Sequence, residues 1–121
     1  MTGRRATRDV RLKRAYAPPS PEDGVRVLVD RLWPRGLRKS EAAIDHWLKD
    51  VAPSNDLRRW FGHDPGRWTE FRRRYKGELA HNAAALQELR SMARRGRLTL
   101  VFSAHAEDHN QALVLKELLT R

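Results

Sequence analysis

Residues 25–36, Val25-Arg26-Val27-Leu28-Val29-Asp30-Arg31-Leu32-Trp33-Pro34-Arg35-Gly36, change character in the middle. The first five are β-branched or aliphatic except for Arg26, a pattern typical of an inner strand that is buried on both faces. Charged and aromatic side chains then follow from Asp30 onwards. Trp33 is held extended because a proline follows it, and Gly36 allows the chain to turn back. The stretch therefore predicts a buried strand that opens into a cationic loop.

The residues before this stretch predict an arm, a strand and a turn. Residues 1–8 are basic and lack apolar anchors, so we expect a flexible basic arm. Apolar and polar side chains alternate over residues 10–16, as they do in a half-exposed strand. Residues 17–24 contain three prolines, which fix φ and remove donors, and therefore predict a turn.

Helical patterns dominate the residues after this stretch. Residues 39–51 carry apolar side chains at helical spacing behind Ser40, which predicts a helix that Pro53 stops. Ser54 can cap a short helix that runs through Phe61.

The strongest local helix signal begins at Asp64. Asp64 is a favourable N-cap and Pro65 a favourable first residue, and one apolar stripe follows at steps of three and four. A second helix is predicted over residues 82–95, ending at Gly96. The sequence leaves open whether a break separates the two helices.

The order of elements predicts the fold class. Residues 98–103 form another strand-like run, and Asp108 is the expected cap of a final helix. A strand joined to another through long helices usually lies parallel to it in one sheet. We therefore predict a single α/β domain over residues 9–121, with a small, mainly parallel three-stranded sheet flanked by helices.

Composition narrows the class of partner. The chain has 121 residues, a formal net charge of +10 and no cysteine. Such a charge favours anionic partners, including nucleic acid and phosphorylated metabolites. No segment approaches the roughly 20 apolar residues of a membrane span, and the basic start leads into no apolar signal region. We expect a cytoplasmic protein that does not enter the membrane.

The predicted sheet places two polar loops together. If the two inner strands are parallel neighbours, their carboxyl ends share one edge, where open α/β sheets bind ligands. Residues 30–36 and residues 103–110 leave the strands there. Arg31 and Arg35, on a rigid loop, could clamp a phosphate or carboxylate. In the structural alternative, Arg31 pairs with Asp30 or a helix carboxylate and the neighbouring tryptophan belongs to the core.

Several titratable side chains near this edge could carry chemistry. Asp30, His63 and His109 are candidates for proton transfer, although a histidine beside a helix cap often only packs. Ser103 could be a nucleophile with a nearby histidine as base, but a serine at a strand–helix junction more often caps backbone.

Metal and cofactor motifs find little support. His105 and His109 stand four residues apart, a zinc-ligating spacing within a helix, but Ala106 occupies the position of the zincin glutamate. Glycine-rich phosphate loops and the nucleophile elbow are absent from the sequence. We predict no metal and no cofactor.

Read together, these segments resemble the YeaO-like family of small bacterial proteins, a domain-of-unknown-function family. The resemblance covers nearly the whole chain after the basic arm, and its string Val-Asp-Arg-Leu-Trp-Pro-Arg-Gly is highly specific. No established activity comes with it. The stretches that carry it are Arg14-x-Tyr16, Asp23-Gly24, residues 25–36, residues 47–54, residues 57–64, Trp68, Phe71, Tyr75, His109-Asn110 and Ala112.

The chain departs from the family pattern after its last strand. Where the family usually has a small residue, a basic residue and aspartate, this chain has Ala104, His105 and Ala106. If that aspartate is catalytic, this member is impaired unless Glu107 or Asp108 substitutes for it.

The predicted site holds an anionic small molecule, and whether a reaction follows stays open. Its nine residues are the catalytic candidates Asp30, His63 and His109, the anion-binding candidates Arg14, Arg31 and Arg35, and the site-shaping residues Tyr16, Trp33 and Asn110. The alternative is a nucleic-acid-binding or regulatory module that uses the basic arm and the Arg-rich helix face of residues 67–76. A third option is a subunit whose exposed tryptophans form an oligomer interface, and the oligomeric state is not predicted.

Overall fold

The computed structural model describes residues 9–120, so the predicted basic arm lies outside the described residues. Within that range the chain forms four strands and five α-helices, with short 3₁₀ turns between some of them. The strands are β1 (Val10–Arg14), β2 (Val25–Leu28), β3 (His46–Trp47) and β4 (Leu98–Phe102). The helices are α1 (Lys39–Ala42), α2 (Asn55–Phe61), α3 (Trp68–Ala80), α4 (Ala83–Arg95) and α5 (Gln111–Leu119).

The four strands form one parallel sheet in the order β1-β4-β2-β3. The predicted α/β class and the parallel pairing of the two inner strands are confirmed, with Val25 aligned to Leu98. The predicted number of strands is wrong, because the sheet of the described residues has a fourth member, β3. With only two residues, β3 is too short to show any alternation in the sequence.

The predicted helix over residues 39–51 is also wrong. Its helical part ends at Ala42, and Ala43 adopts the left-handed conformation with φ of 50°. Three hydrogen bonds of Arg26 explain the early end. Its side chain donates to the carbonyls of Ala42 and Ala43, and its backbone N–H donates to the Asp45 carboxylate at 2.8 Å. Ser40, the predicted cap, lies inside α1. Tertiary hydrogen bonds thus override the helical spacing.

The predicted helices that follow are confirmed, with their caps. The Ser54 hydroxyl accepts a hydrogen bond from the backbone N–H of Leu57 at 3.1 Å and begins α2. The Asp64 carboxylate accepts from the N–H of Gly66 at 2.9 Å, and a 3₁₀ turn leads from there into α3. A short break after Ala80 separates α3 from α4, which settles the question that the sequence left open.

The predicted cap of the last helix is wrong by two residues. Asn110, not Asp108, begins α5, since its side-chain oxygen accepts from the N–H of Leu113 at 3.2 Å. Its amide also donates to the Ala106 carbonyl at 2.8 Å, which closes the irregular loop before the helix. Asp108 contacts His109 instead.

Both faces of the sheet are covered. The larger core lies under the helices and includes a stacked aromatic series of Phe61, Phe71 and Tyr75. On the other face a smaller cluster packs Trp33 and Trp47 against Leu28. The loop that follows β2 therefore folds back over the sheet and is anchored there by its tryptophan.

Candidate anion-binding site

A crevice of about 720 Å³ opens where β2 and β4 end, between the loops of residues 30–36 and 103–110. All nine residues of the predicted site line it, and their roles stay predictions. Further lining residues include Leu32, Arg58, Phe61, Phe71, Ser103, His105 and Gln111. The structure therefore brings together side chains that are far apart in the sequence.

Arg14 lies at the end of β1 and is held by the loop after β4. Its Nε donates to the Ala104 carbonyl at 3.0 Å, and a terminal nitrogen donates to the Ser103 carbonyl at 3.3 Å. The same nitrogen lies 3.4 Å from Nδ1 of His105, and the guanidinium lies 5.4 Å from the ring centroid of Tyr16. These contacts fix the direction of the guanidinium without neutralising its charge.

Arg31 and Arg35 lie on the loop of residues 30–36. Arg31 donates to the carbonyl oxygens of Pro53 and Ala52 at 3.3 Å and 3.2 Å. The structural alternative, in which Arg31 pairs with Asp30 or a helix carboxylate, is not what the described residues show. The exposed Arg35 side chain makes no hydrogen bond or ion pair within the described part of the chain, while its carbonyl accepts from the Tyr16 hydroxyl at 2.8 Å. The loop is thus held through its backbone.

A fourth arginine, Arg58 of α2, lines the crevice and was not predicted. None of these four guanidinium groups lies within 4.0 Å of a carboxylate among residues 9–120. On the Arg-rich helix face the opposite holds, because each basic side chain pairs with Asp64, Glu70 or Glu117. Four guanidinium groups without a carboxylate ion pair among residues 9–120 therefore line one crevice, together with a single carboxylate, that of Asp30.

Asp30 is the only carboxylate among the lining residues, and it is buried. Its oxygens accept from the backbone N–H of Ser103 at 2.9 Å, the Ser103 hydroxyl at 2.5 Å and the Gln111 amide at 2.5 Å. Burial raises the pKa of Asp30, and these hydrogen bonds oppose the rise without cancelling it. Asp30 therefore joins the two loops, and the charge of Arg58 also opposes the rise in its pKa.

The two histidine candidates for proton transfer have separate surroundings. His63 is exposed, with φ of 58°, and its ring centroid lies 6.0 Å from that of Phe61. His109 lies edge-on to Trp68 and 3.0 Å from the Asp108 carboxylate. Within the described residues no hydrogen bond joins any two of the proton-transfer candidates. The structure therefore shows no proton relay among them.

Trp33 shapes the cationic loop. Its indole N–H donates to the Leu37 carbonyl at 2.6 Å, and its ring meets Trp47 edge to face at 5.5 Å. Trp47 in turn donates to the backbone carbonyl of Asp30 at 2.8 Å. Two tryptophans thus fix the point where β2 becomes the loop.

The position at which the chain departs from the aspartate of the family pattern lies outside the lining of the crevice, although the two residues before it, Ala104 and His105, line it. Ala106 does not line it, and neither do Glu107 and Asp108, which are both exposed. In the part of the chain that the structure describes, no group of three or more histidine or acidic side chains is placed to hold a metal ion. None of its helices is long and apolar enough to cross a membrane.

Sequence comparison places the chain among proteins of unknown function. Residues 9–121 match the family DUF488-N3i, described as the inactive DUF488-N3 subclade. Uncharacterised proteins of Mycobacterium tuberculosis and Mycobacterium bovis are 48% identical over 110 residues, which are 91% of this chain and 92% of theirs. The uncharacterised protein YeaO of Escherichia coli is 40% identical over 111 residues, 92% of this chain and 96% of its own. No solved structure matches. The chain belongs to the DUF488-N3i family, and the YeaO-like resemblance is confirmed.

Proposed function

We propose that this member of the DUF488-N3i family binds an anionic small molecule, bearing a phosphate or a carboxylate, in the crevice at the carboxyl ends of its strands. One observation carries the proposal. Four guanidinium groups, those of Arg14, Arg31, Arg35 and Arg58, line one crevice, and none has a carboxylate ion pair among residues 9–120.

The arrangement favours an anion on physical grounds. Like charges gathered in one crevice repel one another, and an anion seated among them removes that repulsion. Arg14 and Arg31 are already held by backbone carbonyls, so they lose little side-chain freedom on binding. The Arg35 side chain has no hydrogen-bond partner among residues 9–120, so its donors can bind a ligand.

Binding without turnover is the form of this function that we favour. The family description calls the subclade inactive. The resemblance implies that Ala106 stands where family members usually carry an aspartate. Neither Glu107 nor Asp108 lines the crevice, and among residues 9–120 no hydrogen bond links Asp30 to either histidine candidate. These features support a receptor for an anion rather than a catalyst acting on one.

The proposal is tested by titrating inorganic phosphate into the protein in a calorimeter. Arg35→Ala should weaken binding about tenfold to a hundredfold, because it removes charge-assisted hydrogen bonds worth about 1.5 to 3 kcal/mol. Arg94→Ala, an exposed arginine in the last turn of α4 that does not line the crevice, is the matched control and should retain the affinity. Equal effects of the two variants, or no binding by the unaltered protein, would contradict the proposal.

A nucleic-acid-binding or regulatory module is the alternative. The net charge of +10 supports it, but the helix face of residues 67–76 supports it less, because its basic side chains are already paired with carboxylates. It predicts affinity for duplex or single strands that falls steeply with salt. The oligomer option loses its stated basis, since all four tryptophans are at least partly buried.

A further inference from the structure

We infer that the ligand of the crevice is a nucleoside phosphate, in which a flat aromatic base accompanies the anionic group. The inference rests on the anion-binding function proposed above and adds the class of ligand. The crevice measures about 720 Å³, within the range of roughly 300 to 1,000 Å³ that small organic ligands occupy. An inorganic anion alone would leave most of this volume to water.

Apolar surface is exposed at the crevice to a degree found almost nowhere else on the described chain. Three large apolar side chains among residues 9–120 are exposed, namely Tyr16, Val25 and Leu32. Two of them, Tyr16 and Leu32, line the crevice, where they lie among arginines. A ligand that carries only charge gives these side chains nothing to contact, whereas a base attached to a phosphate covers apolar and cationic surface together.

Tyr16 is the residue best placed to stack against such a base. Its ring is 45% exposed, yet it is held at two points: its hydroxyl donates to the Arg35 carbonyl at 2.8 Å, and the Arg14 guanidinium lies 5.4 Å from its centroid. A ring that is already fixed loses little freedom when a base stacks on it. Bases stack on aromatic rings and on guanidinium planes, and here the Arg14 guanidinium lies over the Tyr16 ring.

His63 supplies a second exposed ring in an unusual backbone conformation. Its φ of 58° lies in the left-handed region, which side chains with a Cβ seldom adopt, and Gly62 before it has φ of 53°. Strained residues of this kind cluster where ligands bind. The turn brings the imidazole to the crevice, where it can contact either the base or the phosphate.

Two sources share this chemistry: a free nucleotide, and the phosphorylated end of a nucleic-acid strand. Calorimetric titration of AMP, GMP, CMP and UMP against ribose 5-phosphate isolates the contribution of the base. At least one nucleotide should bind about fivefold to a hundredfold more tightly than ribose 5-phosphate, the gain expected from stacking one base. A 5′-phosphorylated trinucleotide, tested alongside, distinguishes a strand end from a free nucleotide.

The Tyr16→Leu and Tyr16→Phe variants locate the stacking. Both variants lose the hydroxyl that donates to the Arg35 carbonyl, so they are compared with each other: Tyr16→Phe, which keeps the ring, should retain the preference for nucleotide over ribose 5-phosphate, and Tyr16→Leu should lose it. A preference that survives in Tyr16→Leu, or an equal loss for both compounds, overturns the inference. So does ribose 5-phosphate binding as tightly as every nucleotide, although the anion-binding function would then stand. If no phosphate compound binds, both proposals fail.

Discussion

Arg26 and Asp30, four residues apart at β2, are both buried and have different roles. Arg26 is 3% exposed, and its guanidinium donates to Asp23 at 2.7 Å and to the carbonyls of Ala42 and Ala43. These hydrogen bonds all join parts of the fold, so the role of Arg26 is structural. The sequence marks Arg26 as the one charged residue in a buried strand, but it cannot show the partners, which come from segments before and after the strand.

We predict that Arg26→Met lowers the free energy of unfolding by about 3 to 5 kcal/mol, because it leaves a buried carboxylate and two carbonyls short of a donor. Because Lys13 also contacts Asp23 at 3.0 Å, we expect the loss of stability to lie near the lower end of this range. Urea denaturation measures the free energy of unfolding. The control is Arg59→Ala, whose pair with Asp56 is solvent-exposed and should contribute less than about 1 kcal/mol. Similar losses in the two variants would contradict this account of Arg26.

Asp30 gives a prediction with a defined sign. Because its folded-state pKa is raised above 3.8, the folded protein binds its proton more readily than the unfolded chain does. Its contribution to stability is therefore least favourable at neutral pH and improves as the pH falls towards 3.8. The difference in unfolding free energy between the unaltered protein and Asp30→Asn should shift in favour of the unaltered protein on acidification.

The comparison with Asp30→Asn cancels the carboxylates whose pKa values are lowered, such as Glu70 and Glu117, since both proteins contain them. The asparagine can still accept from Ser103, and the Gln111 amide can turn round to accept from it. Urea denaturation at several pH values measures the difference. A difference that stays constant, or moves the other way, would show that burial does not govern Asp30.

At the scale of elements, Ser54 links three parts of the site. Its hydroxyl caps α2, and its hydroxyl and backbone N–H both donate to Glu78 of α3, at 2.6 Å and 2.8 Å. The two residues before it supply the carbonyls that hold Arg31. The start of α2, one face of α3 and the cationic loop are therefore fixed through one turn.

We predict that Ser54→Ala lowers the free energy of unfolding by about 1 to 2 kcal/mol, the usual cost of losing an N-cap. Phosphate affinity should fall with it, because the turn also positions Arg31. Ser40→Ala is the matched control, since Ser40 is exposed inside α1 and makes no side-chain hydrogen bond with any described residue. Thermal or urea unfolding of both variants measures the effect. An unchanged free energy of unfolding in Ser54→Ala would contradict the stabilising role of this turn.

The elements that the sequence predicts well are those whose pattern is local. Residues 64–79 carry a cap, a proline and a long apolar stripe, and α3 forms there with its 3₁₀ entry. Over residues 39–51 the same periodicity predicts a helix that does not form. Arg26 donates to the two carbonyls at the end of α1, and His46 and Trp47 pair with β2 as a strand. Those causes lie elsewhere in the chain and leave no local trace.

At the scale of the molecule, the order of the strands is enough to place the loops of residues 30–36 and 103–110 next to each other. The prediction of parallel inner strands was enough to bring residues 30–36 and 103–110 to one edge of the sheet. Arg58 and Gln111 were missed, because their arrival depends on how α2 and α5 pack rather than on any strand. Nothing in the sequence distinguishes Arg58 from its neighbour Arg59, which pairs with Asp56.

Removing residues 1–8 separates the two functional proposals. The deletion takes away Arg4, Arg5 and Arg8 and leaves the crevice residues untouched. We predict that phosphate affinity at physiological salt changes less than twofold, because every residue that lines the crevice is retained. If the deletion abolishes phosphate binding, the arm and not the crevice holds the anion.

The central claim is that an anion binds among the four crevice arginines, and a ¹⁵N NMR titration tests it most directly. Adding inorganic phosphate, and then AMP, should shift backbone amide signals of residues 30–36, 58 and 103–111 while those of α4 stay in place. Shifts confined to the helix face of residues 67–76, or no shifts at millimolar phosphate, would contradict the account.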